Sequence, residues 1–115
     1  MSLEPLLSQV KTSPNTVSFS NVIDVITQHY QYTPSDFSNG DLTSEAGTNE
    51  GSCKIFYFAQ LNNLSESETV ALFGAYYRED VLGNAKGNDH GNIRNFLKTG
   101  WKGISFSGEV LKAKS

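Results

Sequence analysis

The sequence predicts an α+β fold, mainly α, with about five helices around a central buried helix and a small antiparallel sheet of short strands. Three observations lead there. Apolar residues recur at helical spacing in several separate stretches. One stretch, following Ser52, is apolar on almost every side and reads as a buried helix. Two short segments, near Phe37 and over 104–106, alternate or break as extended chain does.

Leu3, Leu6, Leu7 and Val10 stand at i, i+3, i+4 and i+7, which predicts a helix over 4–12, broken by Ser13-Pro14-Asn15. Phe19, Val22, Ile23, Ile26 and Tyr30 repeat the pattern, with Ser18 as N-cap. Pro34 turns the residue before it away from helix, so the chain through Phe37 to Gly40 is expected to be extended, then to turn. A third helix is expected from Ser52, central in the core through Ile55, Phe56, Phe58, Ala59 and Leu61.

Ser65 with Glu68 three residues on is a capping box that starts a fourth helix, whose stripe is Val70, Phe73, Tyr77 and Val81. Ala71, Gly74 and Ala75 make a small-residue face that lets a neighbouring backbone come close and draws Arg78 partly inside, where it calls for a carboxylate. The glycines and asparagines of 83–92 read as a loop, with Asp89 capping a fifth helix that carries Ile93, Phe96 and Leu97 and ends at Gly100. Ile104-Ser105-Phe106 alternates as a half-buried strand, expected beside the extended segment at Phe37.

A chain of 115 residues without a long linker or internal repeat is expected to form one domain over 1–115. Seven Phe, five Tyr and one Trp supply large rings for a core. Nine basic against twelve acidic residues, net −3, with no Lys/Arg cluster, argue against nucleic acid and anionic membranes as partners. One cysteine cannot form an internal disulfide, and no signal peptide or long apolar run stands out, so a soluble protein of a reducing compartment is expected.

Three chemistries compete for the polar residues. In a catalytic reading, Cys53 is a nucleophile at a helix start, His90 its base, and Asp89, Asn49 or Asn92 orients the imidazole. The plain alternative is a buried structural thiol. In a metal reading, His90 and Asp89 join Glu45, Glu50, Glu79 or Asp80, but no recognised ligand spacing supports it, so neither metal nor cofactor is expected. In a binding reading, the loop over 39–51 folds onto the later helices and gathers Glu45, Asn49, Glu50, Lys54, Tyr76, Tyr77, Arg78, Asp89, His90, Arg94, Asn95 and Trp101 into one groove. Arg78 and Arg94 would then grip a small acidic ligand or a protein partner. The structural alternative pairs either arginine with Glu45 or Glu50 and lets Trp101 plug an edge.

The strings FSNGDLTSEAGTNEGSCKIFYFAQLNNLS (37–65), FGAYYREDVL (73–82) and DHGNIRNFLKTGWKGISFSGEVL (89–111) resemble the HopJ type III effector family, and the similarity runs over about 17–111. A Met is expected more often where Leu97 stands, a volume-conserving departure. The resemblance implies a bacterial protein of the cytoplasm, with type III secretion into a host cell suggested by the family name alone. It implies no reaction, so a binding role ranks ahead of catalysis.

Overall fold

The computed structural model describes residues 3–84, 87 and 90–113. Helix α1 (Leu3–Thr12) buries Leu6 and Val10 and is followed by a 3-10 turn at Pro14–Thr16. Helix α2 (Phe19–His29) starts where the Ser18 hydroxyl accepts from the Asn21 N–H at 3.1 Å, and it buries Val22, Val25 and Ile26. The chain leaves α2 directly into strand β1 (Tyr30–Tyr32), so Tyr30 belongs to a strand and not to the helical stripe.

Strands β2 (Phe37–Asn39) and β3 (Leu42–Ser44) form a hairpin whose turn carries Gly40 at φ 64°. Near the chain end lie β4 (Ile104–Phe106) and β5 (Leu111–Ala113). Strand β2 is central in the order β3-β2-β4, with Phe37 opposite both Ser44 and Phe106. The expected pairing of the Phe37 and Ile104 segments is therefore antiparallel, with Asn39 opposite Ile104. A second sheet, antiparallel β1-β5, pairs Tyr30 with Ala113 and Tyr32 with Leu111.

Helix α3 (Glu50–Leu61) is the hub. Ile55, Phe56, Phe58 and Ala59 are buried on nearly all its sides, as its apolar composition requires. The Phe56 ring lies 6.4 Å from that of Phe37, 5.4 Å from Phe73 and 4.9 Å from Phe96, so one side chain ties sheet, turn and last helix together. Two details differ from expectation. The helix begins at Glu50 with Asn49 as its N-cap, and Leu61, at its far end beyond the core, is 48 % exposed.

Helix α4 (Glu66–Ala71) opens on the expected capping box: the Ser65 hydroxyl accepts from the Glu68 N–H, and Glu68 Oε1 accepts from the Ser65 N–H at 2.8 Å. It does not continue through Val81. Gly74 takes φ 62°, a Cβ there would stand 2.8 Å from the Phe19 nitrogen, and the following Tyr76–Val81 winds as a π-helical segment before a 3-10 turn at Leu82–Asn84. The close approach of the α2 start to Gly74 is what breaks the helix, because only glycine fits the contact in this left-handed conformation. Helix α5 (Gly91–Thr99) has His90 as N-cap at φ 50°; the expected cap, Asp89, lies outside the described residues. Glycine 100 (φ 63°) ends α5, and a 3-10 turn at Gly100–Gly103 leads into β4.

Candidate functional site

The first turns of α3 and α5 converge. Asn49, Gly51 and Ser52 from one and His90, Gly91, Asn92 and Ile93 from the other border a cleft of about 370 Å³, closed on its apolar side by Phe19, Phe73 and Tyr76. Hydrogen bonding fixes the α5 start against the sheet. Asn39, wholly buried on β2, donates from Nδ2 to the Asn92 carbonyl at 2.7 Å and to Asn92 Oδ1 at 3.1 Å. Asn95, one turn on, donates to the Asn39 carbonyl and to Asp41 Oδ1. At the α3 start, Asn49 Nδ2 donates to the Ser44 hydroxyl at 3.0 Å, tying the N-cap to β3.

Neither Asn49 nor His90 uses its side chain to cap its own helix. The first intrahelical donors are Cys53 and Arg94, so the backbone N–H groups ahead of them have no partner within their own helices. Both helix starts also bring partial positive charge to the same space. Opposite them, Phe19 meets the Tyr76 ring edge-on at 5.1 Å and stacks against Phe73 at 6.4 Å. The His90 ring tilts against Tyr76 at 5.1 Å, and its Nε2 stands 2.9 Å from Asp80 Oδ2. An imidazole held this way forms one wall of the cleft and links α5 to the π-helical segment.

Cys53 is not among the side chains lining that cleft. It is 1 % exposed, and its Sγ points toward the Ser35 carbonyl at 4.0 Å. Burial pushes the thiol up from 9.0 to about 11; the Glu50 carboxylate adds to the shift and Lys54 opposes it. Because α3 begins earlier than expected, Cys53 lies one turn inside the helix, with its N–H already given to the Asn49 carbonyl at 3.0 Å. A shielded, protonated thiol of this kind suits packing, not attack.

The other residues expected to share a groove are spread over the surface. Glu50 and Lys54 sit beside Tyr32, whose hydroxyl is raised by burial and by Glu50, while Lys54 Nζ stands over the Tyr32 ring at 4.6 Å. Arg78 donates to the carbonyls of Pro14 at 3.3 Å and Val17 at 2.9 Å, bracing the α1–α2 connection. Its partners are thus backbone oxygens, where a carboxylate was expected, because the chain crossing Gly74 brings carbonyls within reach. Arg94 donates to the carbonyls of Asn84 at 2.9 Å and Asp80 at 3.3 Å. Trp101 gives its backbone N–H to Glu66 and its Nε1–H to the Leu64 carbonyl at 3.2 Å, with its ring edge-on to Phe96. Tyr77 borders a separate depression with Val70 and Phe96, and Glu45 is exposed on the loop after β3.

Among the described residues of that set the single patch expected of the acidic loop is therefore not formed: Asn49, Tyr76 and His90 meet in the cleft. Among the described residues no three His, Cys, Asp or Glu side chains gather as metal ligands; Asp89 is outside that set. Sequence reasoning missed Phe19, Phe73 and Asn39 as parts of the site. The first two read as helix-stripe residues and the third as the start of a turn, and only the tertiary fold distinguishes those roles from lining or bracing a cleft.

The chain belongs to the HopJ type III effector protein family, whose model matches residues 3–111. A crystal structure of the unknown-function protein VPA0580 is similar throughout, with TM-score 0.97 and 46 % identity over 99 % of this chain and 95 % of that chain. No curated protein matches the chain. Among the described residues, no helix is long and apolar enough to cross a membrane.

Proposed function

We propose that the chain is a small non-enzymatic binding module whose cleft between the α3 and α5 starts receives a compact ligand with an acidic group on an apolar body. The observation that carries this is the composition of the cleft: about 370 Å³, with three aromatic rings on one side and polar groups of two helix starts on the other. The rings suit the apolar body, and the two helix starts suit the acid. An acidic peptide end on a partner protein presents the same chemistry. A net charge of −3 weighs against nucleic acid as the occupant. Synthesis in a bacterial cytoplasm, followed by type III secretion, is the corresponding proposal from family membership.

Amide-resolved NMR titration with benzoate, benzamide and inorganic phosphate tests the reading. Benzoate is expected to shift Gly51, Ser52, Gly91 and Asn92 saturably, benzamide to leave them in place, and Tyr76→Ala to weaken the benzoate response. If neither anion moves those amides, or if benzamide moves them as benzoate does, the cleft is not an acid-binding site. Catalysis by Cys53 would need a thiol that reacts in the folded protein, which its burial disfavours.

A further inference from the structure

Asn39 and Gly40 form the chain's one Asn-Gly pair. This is the dipeptide in which an asparagine most readily loses its amide, because the residue that follows carries no Cβ to hinder its backbone nitrogen. The fold requires both residues where they stand. Gly40 turns the β2–β3 hairpin at φ 64°, and a Cβ there would stand 2.6 Å from Asn95 Nδ2 and 3.1 Å from the Thr99 hydroxyl. Asn39 is wholly buried, and its Nδ2 donates to the Asn92 carbonyl and to Asn92 Oδ1.

The folded chain withholds both reacting groups. The Gly40 N–H is given to the Gly103 carbonyl at 2.9 Å, the Asn39 carboxamide is tied to the start of α5, and Asn95 donates to the Asn39 carbonyl. All three partners come from 92–103, so an unfolded chain has none of them. There the Gly40 nitrogen can attack Asn39 Cγ: the N–Cγ bond forms, the Cγ–Nδ2 bond breaks, and ammonia leaves. Water then opens the cyclic imide at one carbonyl or the other, leaving an aspartate or an isoaspartate at position 39. Neither product fits the fold. A carboxylate would set one oxygen against the Asn92 carbonyl, where Nδ2 now donates at 2.7 Å, and the other in place of Asn39 Oδ1, which has no hydrogen-bond partner among the described residues. A buried charge without a donor is costly. An isoaspartate would add a carbon to the main chain of the central strand, where Asn39 is paired with both Leu42 and Ile104.

We infer that Asn39-Gly40 is a modification site that opens only when the chain unfolds, and that deamidation there bars the chain from refolding. A long stay in the unfolded state is thereby made irreversible. Nothing in this depends on what occupies the cleft.

The test holds the full chain at mildly alkaline pH, one sample unfolded in guanidinium chloride and one native, with peptide mapping by mass spectrometry and refolding followed by circular dichroism. In the unfolded sample Asn39 is expected to lose its amide ahead of every other asparagine. The native sample should react at least about a hundredfold more slowly, because it does so only through its small unfolded fraction. The refoldable fraction should fall in step with the amide loss. Asn39→Asp, purified from denaturant, should fail to regain the native spectrum or should unfold at a lower guanidinium midpoint. The inference is overturned if Asn39 reacts as fast in the native protein, if another asparagine leads, if modified chains refold fully, or if Asn39→Asp is as stable as the wild type.

Discussion

His90 Nε2 lies 2.9 Å from Asp80 Oδ2, joining the N-cap of α5 to the π-helical segment across the mouth of the cleft. Both side chains are partly exposed, so the pair's worth to global stability is small. Its effect is local: it holds the imidazole against Tyr76, whose ring is part of the cleft wall. π-helical turns often coincide with functional sites, and here one presents both Tyr76 and Asp80. Asp80→Asn is expected to cost no more than about 1 kcal/mol in urea unfolding, while weakening benzoate binding at the cleft. A large loss of stability with unchanged benzoate binding would assign the pair to the scaffold.

Gly74 answers to a different constraint. Its φ is 62°, and an added Cβ would meet the Phe19 nitrogen at 2.8 Å and the Val17 carbonyl at 3.3 Å, both backbone atoms that cannot swing aside. Gly74→Ala should lower unfolding free energy by about 2 kcal/mol or more, combining left-handed strain with the clash. Gly83→Ala, where nothing lies within 4 Å, is the matched control and should be near neutral. Equal Tm values for the two variants would mean that the α2 start is not held against Gly74.

Cys53 gives a prediction in pH. Its thiol is raised from 9.0 to about 11 in the fold, so between those values the unfolded chain loses a proton that the native one keeps. Stability contributed by the protonated thiol is thus full below about pH 9 and falls as pH rises toward 11. Tyr32, raised in the same direction, acts with the same sign at higher pH. Urea midpoints should fall through this alkaline window, and less steeply in Cys53→Ala. At pH 7.5 to 8.5, roughly the range where an ordinary thiol reacts, iodoacetamide should label Cys53 only after unfolding. Rapid labelling of native protein would restore the nucleophile reading.

The parts of this fold legible in the sequence are those coded by near neighbours. Ser18 and the Ser65–Glu68 box cap their helices through residues three apart, and the apolar run after Ser52 reads as a buried helix because nearly every side of it is apolar. Two short strand signals place the 104–106 segment beside the extended segment at Phe37, and the structure gives the register, Phe37 opposite Phe106. What escaped depends on distant partners. The break at Gly74 follows from a backbone arriving from 17–19, and a glycine in a helical stripe does not announce it. Strand β1 continues directly from α2, so its Tyr30 reads as the end of the helical stripe, and its partner β5 lies far along the sequence. The carbonyls that satisfy Arg78 have no side-chain signature, so a carboxylate seemed necessary. The cleft draws on residues from 19 to 93, and only packing around Phe56 brings them together.

The sheet connectivity also sets a timetable for synthesis. The central strand at Phe37–Asn39 and the strand at Tyr30–Tyr32 both find partners in the final stretch of chain, at Ile104–Phe106 and Leu111–Ala113. On a translating ribosome, helices α1 to α4 emerge with those edges still open, and neither sheet closes until 104–113 has been made. Both sheets thus close late relative to the helices, and a holdase acting in that interval would meet the open β4-facing edge of Phe37.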